Sequence, residues 1–216
     1  MKSLVTGANG FIGSSIVREL LKDGVEVKAL VRETSNLQNL EGLDIEKVYG
    51  DIRDKESVKS ALEGCDTMYQ AAALYTDWVP NPKTFDEMNI EGTRSSLQAA
   101  LEQGTEKVVY TSSIAAVGYG VRDKPANEET EFNGLMDDPY IRTKRLGELE
   151  AMKFFRQGLP VVIVNPSVVM GVRDIKPTPS GAYIVNLMNR KMPGYINAGT
   201  NLCRCRGRRT RSRACS

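Results

Sequence analysis

MKSLVTGANGFIGSSIVRELL, residues Met1–Leu21, divides into three parts. Ser3 to Thr6 is a short buried-strand run, Gly7, Gly10 and Gly13 make a turn, and Ile16, Val17, Leu20 and Leu21 recur at helical spacing. A turn this rich in glycine suits a pyrophosphate, which must approach the backbone closely and rest at a helix N-terminus, where free N–H groups and the helix dipole favour negative charge. Gly7 permits the sharp exit from the strand, Gly10 leaves the approach open, and Gly13 lets the helix lie close against the sheet; Phe11 and Ile12 belong to the same cofactor-binding corner. The spacing Gly-x-x-Gly-x-x-Gly departs from the Gly-x-Gly-x-x-Gly of ordinary dinucleotide-binding folds. Three glycines by themselves also fit a plain strand-turn-helix corner.

Outward from this corner the alternation continues. Glu26 to Val31, Ile45 to Tyr49, Thr67 to Ala71, Lys107 to Thr111 and Pro160 to Val164 have strand character, and Asp54 to Leu62, Thr84 to Gln103 and Tyr140 to Gln157 have helical periodicity. That rhythm predicts an α/β chain with a doubly wound parallel sheet, helices on both faces and every strand's carboxyl end on one rim. Residues at that rim face the ligand crevice. Arg32 suits the extra phosphate of NADP, Glu33 keeps NAD open, and a merely solvated charge is the alternative. Asp51 would accept from an adenine amino group with Ile52 against the ring, and Ala71, Ala72 and Ala73 would let the backbone touch the cofactor. The loop Leu74 to Pro82 carries the only tryptophan, and its aromatics suit a substrate mouth or packing equally. Gly118 to Pro139 is longer than an ordinary connection, which points to a functional excursion.

The 216 residues are 41% hydrophobic and 26% charged, as in a soluble globular chain. No apolar run approaches the roughly 18 residues of a membrane span and no signal peptide precedes the first strand, so a cytoplasmic location is expected. Cys65 is the only cysteine before residue 203, which leaves no disulfide framework, and the lack of any histidine excludes histidine-based catalysis. Six of the 29 basic residues and none of the 27 acidic ones fall in 203–216, so the body carries 23 basic against 27 acidic residues and is mildly acidic. Any nucleic-acid argument rests on that tail alone.

Tyr140-Ile-Arg-Thr-Lys144 places a phenol and an ammonium on one helix face. A tyrosine with a reference pKa of about 10 moves a proton at neutral pH only if a nearby cation favours its phenolate, and Lys144 would supply that charge. Ser113, at the end of a strand, would bind the substrate oxygen on which charge develops during hydride transfer.

With these pieces the chain resembles the extended short-chain dehydrogenase/reductase family, the NAD(P)-dependent sugar-nucleotide epimerases, dehydratases and dihydroflavonol reductases. TGANGFIG (Thr6 to Gly13), GDIRD (Gly50 to Asp54), NIEGT (Asn89 to Thr93), VVYTSS (Val108 to Ser113), YIRTK (Tyr140 to Lys144) and NPSVVMG (Asn165 to Gly171) carry the resemblance. LVRETS, the Trp78 loop and DIKPTPSG (Asp174 to Gly181) look more narrowly like the bacterial dihydroflavonol-reductase-like enzymes and hopanoid-associated sugar epimerases. The resemblance implies a Rossmann fold with Ser113, Tyr140 and Lys144 as the catalytic set and Tyr140 as acid or base. It also implies that Lys144 binds the nicotinamide ribose, that Thr111, Ser112, Pro166 and Ser167 face the cofactor, and that Asn89 supports the site. Ser112 stands as an alternative to Ser113, and Gln70 departs from the histidine common in relatives.

These readings divide the chain into an NAD(P)-binding domain (1–170), the start of an incomplete substrate-binding region (171–202) and a basic tail (203–216). Family members continue well past this point. The tail is expected to be disordered or frameshifted: ordinary codons for Cys203 to Cys215, moved by one base, spell Val-Asp-Val-Glu-Asp-Val-Ala-Arg-Gly-His-Ala-Leu, the continuation that the family shows. No metal site is expected, since Cys203, Cys205 and Cys215 lack ligand spacing and a fourth partner. The expectation is an NADP-dependent, alternatively NAD-dependent, enzyme acting on a small carbonyl or sugar nucleotide, with a homodimer left open, no nucleic-acid partner, and weak turnover in this exact chain. A catalytically silent cofactor-binding regulator and a tail-mediated nucleic-acid binder are the competing readings.

Overall fold

The computed structural model of the chain describes residues 1–76, 78–121, 123–194 and 201–205. Six strands, β1 (Lys2–Thr6), β2 (Glu26–Val31), β3 (Glu46–Tyr49), β4 (Thr67–Gln70), β5 (Lys107–Thr111) and β6 (Val161–Val164), form one parallel sheet in the order β3-β2-β1-β4-β5-β6. Val5 of β1 stands opposite Ala29 and Tyr69, so the first strand is an interior one. β1 and β2 are covered on both faces, and after its first residue each is buried throughout. Leu4, Leu30, Met68 and Val108 point to one side, where they meet α2 (Lys55–Leu62), α4 (Gly92–Glu102) and α5 (Pro139–Arg156) through Val58, Leu97 and Phe154. Val5, Val27, Ala29 and Val31 point to the other, against Val17 and Leu20 of α1 (Phe11–Lys22). The order turns back between β1 and β4, and the crevice at the carboxyl ends opens there.

The expected helix over 84–103 is interrupted. α3 (Lys83–Asp86) passes into a π-helical turn, Glu87–Glu91, before α4 begins. Such wide turns carry no periodicity that a sequence exposes, and they recur at functional sites. α5 starts one residue earlier than the tyrosine, because the Asp138 carboxylate accepts from the N–H groups of Tyr140 and Ile141 and Pro139 takes the first helical position.

Beyond β6, a second, two-stranded parallel sheet pairs β7 (Val168–Met170) with β8 (Leu202–Arg204), and α6 (Pro179–Met188) lies between them in sequence. Cys203 and Arg204, assigned from sequence to the tail, are strand residues here, and the Cys205 N–H donates to the Met170 carbonyl at 2.8 Å. The rest of the expected tail, 206–216, lies outside the described residues.

Candidate active site

A cavity of about 770 Å³ opens along the carboxyl rim. All of the expected site residues except Asn89 line it. They comprise Gly7, Gly10, Phe11, Ile12 and Gly13 at the corner, Arg32 after β2, Asp51 and Ile52 after β3, and Ala71, Ala72 and Ala73 after β4. Thr111, Ser112 and Ser113 mark the end of β5, Tyr140 and Lys144 project from α5, and Pro166 and Ser167 follow β6.

The corner has the shape that a dinucleotide requires. Gly7 has φ +63°, and a Cβ there would stand 2.7 Å from the Ala72 Cα, so only glycine fits. At Gly13 a Cβ would meet the Gly7 carbonyl oxygen at 2.1 Å; this glycine lets the helix close on the turn itself, where sequence placed the contact on the sheet. A Cβ at Gly10 would touch only the Gly7 oxygen, at 3.2 Å, and otherwise occupy the cavity. Among the described residues no side chain caps the start of α1, which leaves its first N–H groups available to an anion. At the far end of the cavity the Ser167 hydroxyl is buried without a hydrogen-bond partner among the described residues. The residues present therefore fit a bound dinucleotide.

Two contacts differ from expectation. The Asp51 carboxylate does not stand free for an adenine: Arg53 holds both of its oxygens, Nε to Oδ1 at 3.0 Å and Nη2 to Oδ2 at 2.8 Å, and this pairing lowers its pKa, with the charge of Arg32 adding to the effect. Asn89 lies behind the cavity wall. Its Nδ2 donates to the Leu74 carbonyl and to Thr143 Oγ1, both at 3.1 Å, and its Oδ1 accepts from the Leu74 N–H at 2.7 Å. It fixes the loop after β4 against α5 and touches no ligand space.

Around Tyr140 the geometry is close to the expectation and the electrostatics are not. Lys144 is buried, its Nζ donates to the Thr111 carbonyl at 3.0 Å, and burial pulls its pKa down to about 8 against the opposing charge of Glu148. The Tyr140 phenol is raised above its ordinary value, first by burial, while a hydrogen bond with Ser113 works in the other direction. Lys144, whose own pKa falls below that of the phenol, is not among the groups that shift it. Ser113 caps the short 3-10 turn Ile114–Ala116, accepting from the Ala115 N–H at 3.2 Å. Ser112 is no substitute for it, because its hydroxyl donates to the buried Glu148 carboxylate at 2.6 Å.

Sequence reasoning divided the aromatic loop too coarsely. Tyr75 packs on Tyr140 with ring centroids 4.8 Å apart, its hydroxyl 3.1 Å from Ser180 Oγ, whereas Trp78 stands exposed and away from the cavity. Tyr119, Val168, Val169, Thr178 and Ser180 also line the cavity without having been singled out. The Asp174-x-x-x-Thr178-Pro179 stretch held a usable signal for the last two: Thr178 caps α6 and is itself held by Asp174.

Comparison with known proteins agrees with this arrangement. Residues 3–200 match the model of the NAD dependent epimerase/dehydratase family. A putative dihydroflavonol 4-reductase of Synechocystis sp. is 40% identical over 200 residues, covering 92% of this chain and 58% of that protein. Sterol demethylase protein B of Methylococcus capsulatus is 35% identical over 196 residues, with 91% and 60% covered. The chain thus spans about three fifths of the length of these two relatives. The UDP-glucose 4-epimerase of Thermus thermophilus, solved in complex with NAD, superposes with a TM-score of 0.82 at 26% identity over 95% of this chain and 71% of that one. Sheet order, glycine corner and the match over 3–200 lead to one conclusion: the chain belongs to the NAD dependent epimerase/dehydratase family.

Proposed function

We propose that the protein is an NAD(P)-dependent oxidoreductase or epimerase of the extended short-chain dehydrogenase type, acting at a carbonyl or secondary alcohol. The observation that carries this reading is the meeting of Ser113, Tyr140 and Lys144 on the wall of the cavity that begins at the glycine corner. A bound nicotinamide would supply or take up hydride at the substrate carbon. Tyr140 would give its proton to the carbonyl oxygen in reduction, or take one from the hydroxyl in oxidation, and Ser113 would hold that same oxygen. Burial raises the pKa of the phenol and so favours its protonated form, the one that reduction needs. Lys144 would orient the ribose, and the corner residues with Pro166 and Ser167 would bracket the cofactor.

Arg32, exposed at the end of β2 and lining the cavity, supports NADP over NAD. The names of the relatives suggest the substrate class: a small ketone, as for a dihydroflavonol reductase, or a sugar nucleotide, as for a UDP-glucose epimerase. The test is a screen of both classes with NADPH and NADH, alongside Tyr140→Phe. NADPH is expected to be preferred, and the variant to lose roughly 100-fold or more in turnover. Parental turnover by Tyr140→Phe would remove the assigned proton transfer, and cofactor binding without turnover on any substrate would favour the silent regulator.

A further inference from the structure

Glu148 is a buried acid with no part in the proton and hydride transfers assigned to Tyr140 and the nicotinamide. It sits one helical turn beyond Lys144, and three elements converge on it. From the end of β5, Ser112 Oγ donates to its Oε2 at 2.6 Å; from the end of β6, Asn165 Nδ2 donates to the same oxygen at 2.6 Å. Asn165 Nδ2 also lies 3.1 Å from the Ser113 carbonyl, so the carboxylate is two hydrogen bonds from the backbone that carries the candidate catalytic serine. Its other oxygen faces Arg145 Nη1 at 3.6 Å, and Arg145 in turn donates to the Ala116 carbonyl.

We propose that Glu148 is a positioning residue, an inference that rests on the proposed enzymatic function: one carboxylate ties the ends of β5 and β6 to α5, which fixes Ser113 relative to Tyr140, and it supplies the counter-charge for Lys144. The two jobs need the ionised form. Two neutral donors aim at a single oxygen, which an anion accommodates best, and a buried ammonium with one carbonyl acceptor needs nearby negative charge to stay protonated. Two phenols also stand near Lys144, Tyr110 of β5, whose ring centre lies 6.0 Å from Nζ and whose pKa is pushed up to about 12 mainly by burial, and Tyr140 of α5, raised by burial as well; neither supplies the negative charge.

The experiment is NMR titration of protein labelled with 13C at the lysine Cε, without cofactor or substrate, on the parent and on Glu148→Gln. Lys144 is expected to titrate about one unit lower in E148Q, with turnover down by about tenfold or more and its alkaline limb displaced to lower pH. A purely structural role would lower the melting temperature and leave the Lys144 titration in place, and an unmoved titration in folded E148Q overturns the proposal. If E148Q does not fold, Ser112→Ala tests the clamp from its other end: turnover should fall while Lys144 titrates as in the parent, and parental turnover overturns it. Because the titration needs no reaction, a shifted Lys144 in a parent that turns nothing over counts against the enzymatic reading and supports the clamp.

Discussion

Lys144 sits where two requirements conflict. The proposed reaction asks for its ammonium beside the phenol and the ribose, yet it is buried with one carbonyl acceptor among the described residues, at 3.0 Å. The folded-state pKa of about 8 lies below the ordinary 10.5. Between those two values the unfolded chain still binds a proton that the folded chain has released, so stability rises with pH across that window. Below it, the buried charge costs up to about 3 kcal/mol. Lys144→Met is therefore expected to melt a few degrees higher than the parent at pH 7, with the difference shrinking as pH rises through 8 towards 10.5, and to lose activity at every pH. Thermal unfolding followed across that range checks it; a variant less stable than the parent at pH 7 would show that the charge is better satisfied than its single acceptor implies. The Tyr-x-x-x-Lys spacing announced this pair from sequence. Where the ammonium points was not legible, because Thr111, Ser112 and Asn165 come from strand ends that no local pattern connects to the helix.

At the scale of elements, the two glycines flanking the start of α1 separate folding from binding. A Cβ at Gly13 would meet backbone at 2.1 Å, so Gly13→Ala must push α1 off the turn, at a cost of about 1–3 kcal/mol, and cofactor affinity should go with it. Gly10 has φ −76° and ψ 175°, which alanine adopts freely, and its Cβ would enter the cavity. Gly10→Ala should hold its stability to within about 1 kcal/mol and still bind NADPH at least about tenfold more weakly. Calorimetry and fluorescence titration of the pair make the comparison, and equal binding by Gly10→Ala and the parent would mean that nothing approaches the corner. The six sheet strands were legible from their short β-branched and apolar runs between turn residues, and the glycine corner because tight backbone approach leaves a direct mark on composition. The π-helical turn was not: Asn89 looks like any polar residue of an amphipathic helix until Leu74 and Thr143 are seen to claim its amide. β7, α6 and β8 escaped for a related reason, since three-residue strands and a helix with no buried residue carry little periodic signal.

For the whole molecule, the two faces of the sheet are unequal. Among the described residues α2, α4 and α5 cover one face from β2 to β6, whereas α1 covers the other around β1 and β2. The imbalance shows at β6, the sheet's edge among the described residues. Val161 packs into the α5 side, while Val162 and Val164, which alternate to the opposite face, are 47% and 43% exposed. Leu187 and Met188 at the end of α6 are exposed as well. An edge strand presenting β-branched apolar side chains beside unpaired backbone groups is a template for self-association. Threonine keeps the branched shape and the strand preference while replacing a methyl by a hydroxyl that water can satisfy. The double change Val162→Thr with Val164→Thr is expected to raise the concentration at which the chain scatters light on mild heating, and to leave NADPH binding unchanged because neither residue lines the cavity. The same onset of scattering in parent and variant would place the association elsewhere on the surface. A loss of cofactor affinity would show that this face supports the rim through the Asn165-Pro166-Ser167 turn that follows β6.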